Sequence, residues 1–123
     1  MMTAPMKTQV LEESIVREIA RVGRARVPNE ACGILLPTPH KGKRVWEMPN
    51  RSKYPHDSFE MHGADMAISI AEWDGDYEDI VIWHTHPGGN VGPSQYDIVN
   101  RVEKLANLVV SVPEKGKPLA TWF

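Results

Sequence analysis

The chain has a single cysteine, Cys32, among its 123 residues, so an internal disulfide is excluded and a reducing compartment is the simpler setting. It also lacks any basic run longer than Lys43-Arg44. Its 14 Lys and Arg face 16 Asp and Glu, and the isoelectric point is near 6.2. A phosphate-backbone partner needs a clustered basic face, which argues against nucleic acid. No apolar stretch approaches the roughly 20 residues that a membrane span requires; the longest are residues 31–36 and 80–83. The first nine residues have no apolar segment of the secretory-signal kind and read as a loose lead-in. Neither the Rossmann nor the P-loop glycine fingerprint occurs, and there is no internal repeat.

What is present is ordinary for one domain spanning residues 1–123: 41% hydrophobic, 24% charged and a net charge of −2. A chain of this length buries about two-thirds of its unfolded surface, so it needs no metal or disulfide as a staple. Any ligand residues are therefore free for chemistry. Val10, Leu11, Ile15, Ile19 and Val22 recur at helical spacing and predict an amphipathic helix running towards Pro28. Residues 31–36 read as a buried strand with Glu30 at its mouth, and 45–48 as its hairpin partner beyond a turn over 40–44. A short strand is expected over 58–62, broken by Gly63, then a helix over 65–73 stopped by Asp74-Gly75. Residues 80–83 form a strand leading into His84. A helix is expected from Ser94 through Ala106, and a closing hairpin over 108–112 and 119–123. This order predicts an α/β (α+β) fold, a mixed central sheet with flanking helices. The tryptophans at 46, 73, 83 and 122 are assigned to the core.

The chemistry is concentrated in residues 84–97, His-Thr-His-Pro-Gly-Gly-Asn-Val-Gly-Pro-Ser-Gln-Tyr-Asp. Residues two apart on a strand share a face, so His84 and His86 can aim both imidazoles at one point. Asp97, in the first turn of the next helix, can supply a third ligand. Three protein ligands leave one tetrahedral position open, as catalytic zinc sites do. An H-x-H pair alone is commonly incidental. The whole H-x-H-P-x6-S-x-x-D pattern, however, would arise from residue frequencies with a chance of about one in ten thousand. Ser94 and Asp97 also fit a helix capping box, a role compatible with a function.

This segment resembles the signature of the JAMM (JAB/MPN-type) zinc metallopeptidases, an upstream Glu followed by H-[ST]-H-P-x6-S-x-x-D. Upstream, Pro28-Asn29-Glu30-Ala31-Cys32-Gly33-Ile34-Leu35 is similar to that family's P-x-E-x-C-G-x-L segment. The resemblance spans about residues 10–123 and implies the cytidine-deaminase-like JAB/MPN architecture. It implies that His84, His86 and Asp97 bind Zn2+, that Glu30 is the general acid and base, and that Ser94 helps hold the oxyanion. Cys32 is expected to be a small buried hydrophobe and not a nucleophile. His40, His56 and His62 lack ligand spacing and are expected on the surface.

The implied activity is hydrolysis of a peptide or isopeptide bond, with a protein or peptide substrate such as the C-terminal tail of a ubiquitin-like or sulfur-carrier protein. The chain lacks the insertions that eukaryotic deubiquitinating members share and closes with the last hairpin, which points to a prokaryotic or phage version. It is expected to be cytoplasmic, or virion-associated if phage-encoded. The alternative is a phage tail-assembly protein, either a processing peptidase or a scaffold without catalysis. A zinc deaminase would need H-x-E with a downstream C-x-x-C, and neither occurs.

Overall fold

The expected helix forms as α1, Glu13–Arg26, in a computed structural model that describes residues 10–38 and 42–123. The expected lead-in over 1–9, and His40, lie outside the described residues. Ile15, Ile19, Ala20 and Val22 turn one stripe of α1 inward, Glu13 opens it and Arg24 and Arg26 close it, as the helix dipole favours. Each fully buried aliphatic side chain contributes about 1.5–3 kcal/mol. An exposed ion pair such as Arg21 with Glu18 is screened by solvent and adds little beside that. Packing of that stripe, not surface charge, holds α1 in place.

α1 covers one face of a five-stranded sheet of order β2-β1-β3-β4-β5, formed by Cys32–Thr38, Gly42–Met48, Val81–Pro87, Ala106–Val112 and Leu119–Trp122 in chain order β1 to β5. β3 lies in the middle, antiparallel to β1 and parallel to β4. On the α1 face, Leu35, Val81, Trp83, Leu108 and Val110 form the main core. On the other face, Ile34, Leu36, Met48, Ile80, Ile82 and Leu105 form a second core, capped by Phe59, Met61 and residues of α2, Gly63–Ile70. Trp83 is fully buried, while Trp46, Trp73 and Trp122 pack half-buried against the two cores. β1 runs through Pro37, where its pairing with β3 has already ended at Leu35 and only β2 remains as a neighbour.

Three expected elements differ. Residues 58–62 are not a strand: the Asn50 side chain bonds the Ser58 carbonyl and the Glu60 N–H, so those backbone groups have partners without a ladder. The alternation of Phe59 and Met61 nevertheless marks their burial against the second core. α2 starts at Gly63, which does not break the chain; the Asp65 carboxylate in its first turn takes a two-pronged bond from Arg51 at 2.9 and 3.1 Å. It stops at Ile70, and the Trp73 indole N–H is held by the Pro37 carbonyl at 2.8 Å. The third helix, α3, spans only Gln95–Asn100. The buried Asn107 amide accepts from the Val102 N–H and donates to the carbonyls of Val102 and Leu105. Backbone groups that would extend the helix are thereby taken, and β4 begins at Ala106.

Gly33 sits between β2 and β3, where an added Cβ would lie 2.0 Å from the Trp46 carbonyl oxygen and 2.6 Å from the Trp83 ring. Neither backbone nor a buried indole can yield. Gly33→Ala is therefore expected to cost about 3 kcal/mol or more, lowering the melting temperature by about 10 °C in a thermal denaturation scan. No helix of the described residues is long and apolar enough to cross a membrane.

Candidate metal centre

The pleat of β3 divides its residues. Val81 and Trp83 face the α1 core and Thr85 packs against Gly23 of α1, whereas His84 and His86 emerge together on the opposite face. Gly88, Gly89 and Gly92, all at positive φ, let the chain reverse beyond β3. It returns as α3, the crossover between the parallel pair β3 and β4. Ser94 and Asp97 form the expected capping box: Ser94 Oγ accepts from the Asp97 N–H at 3.1 Å, and Asp97 Oδ2 accepts from the Ser94 N–H at 2.9 Å.

That same Asp97 oxygen meets both imidazoles. Oδ2 lies 3.1 Å from His84 Nε2 and 3.0 Å from His86 Nε2, and the two ring nitrogens are 3.3 Å apart. All three side chains are buried. Ligands about 2.0–2.1 Å from a tetrahedral zinc stand about 3.3 Å from one another, so the triangle matches one face of such a site. Glu30 stands next to it, with Oε2 3.9 Å from His86 Nε2. Ligand atoms of Glu30, His84 and His86 all fall within 4.8 Å of one another, so this buried group can also hold a metal ion. The shorter edges belong to the set that includes Asp97. Phe59 stacks on the His84 ring at 4.4 Å between centroids, and Phe123 meets it edge-on at 5.7 Å, which fixes its plane.

The electrostatics divide along the same line. Burial raises the Glu30 pKa to about 7; His86 opposes the rise, while Asp97 and Asp57 add to it. Burial pushes Asp97 upward, but its hydrogen bonds with His84 and His86 outweigh that and hold it far below the usual carboxylate range. Burial also lowers His84 against the opposing pull of Asp97 and so favours its neutral form. Burial opposes protonation of His86 too, yet the hydrogen bond to Asp97 and the charge of Glu30 raise it. A low-lying carboxylate beside a neutral imidazole is what a cation needs, and Glu30 Oε1 is buried with no hydrogen-bond partner among the described residues. The residues present fit a divalent ion.

A cleft of about 310 Å³ opens beside the group, lined by Glu30, His56, Asp57, His86, Pro87 and residues 90–94, Ser94 included. All five expected site residues, Glu30, His84, His86, Ser94 and Asp97, thus meet at one place. His56, expected on the surface, is exposed and also lines this cleft; its proximity depends on the path of the 50–60 loop, which no spacing rule conveys. His62 is exposed, as expected. Cys32 is buried, pairs in register with His84 on the next strand, and burial pushes its thiol up to about 12, so it is no nucleophile.

From residue 12 to residue 123 the chain matches the family model described as prokaryotic homologs of the JAB domain, and it belongs to that family. Among curated proteins none matches the chain.

Proposed function

We propose that the protein is a zinc-dependent peptidase or isopeptidase acting on the C-terminal tail of a ubiquitin-like or sulfur-carrier protein. The observation that carries this reading is the triangle of His84 Nε2, His86 Nε2 and Asp97 Oδ2, with edges of 3.0–3.3 Å, beside the buried Glu30 carboxylate, which lines one cleft together with His86. His84, His86 and Asp97 are the residues that would hold the ion. Zinc would supply a Lewis acid that polarises the scissile carbonyl and lowers the pKa of water to about 7. Glu30, with its own pKa raised to about 7, takes a proton from the attacking water and passes it to the leaving amine. Ser94 Oγ already accepts from the Asp97 N–H, and its hydroxyl hydrogen has no acceptor among the described residues. It is free to donate to the oxygen that gains charge on the substrate carbonyl.

Ser94→Ala removes both duties at once, and Ser94→Gly separates them. Loss of the cap is expected to cost about 1 kcal/mol of stability, and loss of the donor about a hundredfold in kcat. Ser94→Gly, which costs only a few tenths of a kcal/mol as a cap, is expected to lose the same turnover. The reading as a whole is tested by measuring zinc in protein purified without chelator, then following cleavage of a ubiquitin-like fusion. About one ion per chain and activity abolished by chelation and restored by zinc are expected. Zinc binding with no cleavage across a broad peptide panel would instead favour a scaffold in an assembly such as a phage tail.

A further inference from the structure

Outside the triangle, the Asn50 side chain has its whole hydrogen-bonding capacity in use. The Asn50 amide donates through Nδ2 to the carbonyls of Glu30 and Ser58, both at 3.0 Å. Its Oδ1 accepts from the N–H groups of Ser52 at 3.0 Å and Glu60 at 3.2 Å. Two donors and two acceptors exhaust a primary amide, and these partners settle which end is nitrogen. The Glu30 N–H donates to the Pro55 carbonyl at 2.7 Å, in the same loop. Glu30 precedes β1, so no strand ladder holds it. The next residue, Ala31, is held from the other side: its N–H donates to Thr85 Oγ1 and its carbonyl accepts from the Thr85 N–H, both at 2.9 Å.

We infer that Asn50 is a positioning residue for Glu30, tying its backbone to the 50–60 loop and so setting where the carboxylate stands relative to His86 and the cleft. The inference rests on the hydrolase reading above for its effect on turnover. Because that loop also carries His56 and Asp57, the cleft wall and the carboxylate are built as one unit. Asn50, Pro55 and Glu30 also line one neighbouring cavity of about 420 Å³, so shortening Asn50 enlarges a space that Glu30 borders. Asn50 makes no hydrogen bond to His84, His86 or Asp97 and acts without touching them.

The test uses Asn50→Ala and the isosteric Asn50→Asp, which sets a carboxylate oxygen against two carbonyls, each alone and combined with Glu30→Gln. Zinc content is expected to stay at the wild-type level. Turnover of a ubiquitin-like fusion is expected to fall about 10²-fold in kcat, with KM within about threefold, as a misplacement near 1 Å would produce. In the Glu30→Gln background neither substitution should reduce the residual rate further. Amide hydrogen exchange at Glu30 should accelerate at least about tenfold, while Ala31, held by Thr85, keeps its protection. A folded variant with wild-type kcat, an equal loss in the Glu30→Gln background, or unchanged exchange at Glu30 would each overturn the inference. If the wild type cuts nothing, the hydrolase reading fails separately, and exchange at Glu30 alone decides the role of Asn50.

Discussion

Glu30→Gln is expected to keep its metal and lose its turnover, by about 10³–10⁴-fold in kcat, the upper part of the range for general acid–base catalysis. The upper part applies because one group is asked to act twice, accepting a proton and then returning it. Gln preserves the shape and can still hydrogen-bond, but it cannot carry a proton. Zinc analysis beside single-turnover rates separates the two effects, and loss of zinc together with rate would make Glu30 a ligand instead. The pH dependence has a definite sign. Turnover needs the carboxylate, so it should rise as pH rises through the Glu30 pKa, about 7 without metal and lower once a cation stands nearby. This limb should vanish in the Gln variant. Stability runs the other way. In metal-free protein Glu30 holds its proton more tightly folded than unfolded, where 4.5 is its ordinary value, so its penalty grows as pH rises from there to about 7. Metal-free Glu30→Gln should therefore melt above the wild type at pH 8 and level with it near pH 4.

Asp97→Ala is expected to empty the site. It removes the proposed ligand atom, one half of the capping box and the acceptor for two buried imidazoles at once. Zinc affinity should fall by more than the roughly 10–100-fold that follows loss of a ligand's supporting hydrogen bond. Metal-free protein should lose about 3 kcal/mol from cap and hydrogen bonds together. Asp97→Asn separates the contributions, since its amide oxygen can still accept from the Ser94 N–H while the negative charge is gone. It should bind zinc nearly as poorly yet be markedly more stable than Asp97→Ala. Titration with zinc, read by competition with a chelating dye, and chemical denaturation of the metal-free proteins measure the two quantities. An Asn variant that binds zinc like the wild type would remove Asp97 from the ligand set and leave the group of Glu30, His84 and His86.

Much of this was legible before any coordinates, for reasons tied to particular residues. His84 and His86 share a face because strand geometry has a period of two, a rule that needs no tertiary information. Ser94 and Asp97 announce a helix start through local hydrogen bonding alone, and that start brings the Asp97 carboxylate to the two imidazoles. The failures occur where a distant side chain decides a local outcome. Asn107 ends α3 six residues before the periodicity of Val99, Val102 and Ala106 suggests, and Asn50 replaces a ladder over 58–62. An asparagine captures backbone groups from wherever the chain brings them, so its effect leaves no periodic trace. The approach of Glu30 to His86 depends on the antiparallel register that sets Cys32 opposite His84, which spacing along the chain does not encode.

The two histidines ride on a strand flanked on both edges, by β1 and by β4, and their partner carboxylate is pinned by its own helix cap. Ion capture should then resemble the filling of a socket, unlike small zinc modules that are unfolded until loaded. Mixing metal-free protein with zinc should give a single exponential whose rate grows linearly with zinc concentration, without the saturating phase of a chain that must first rearrange.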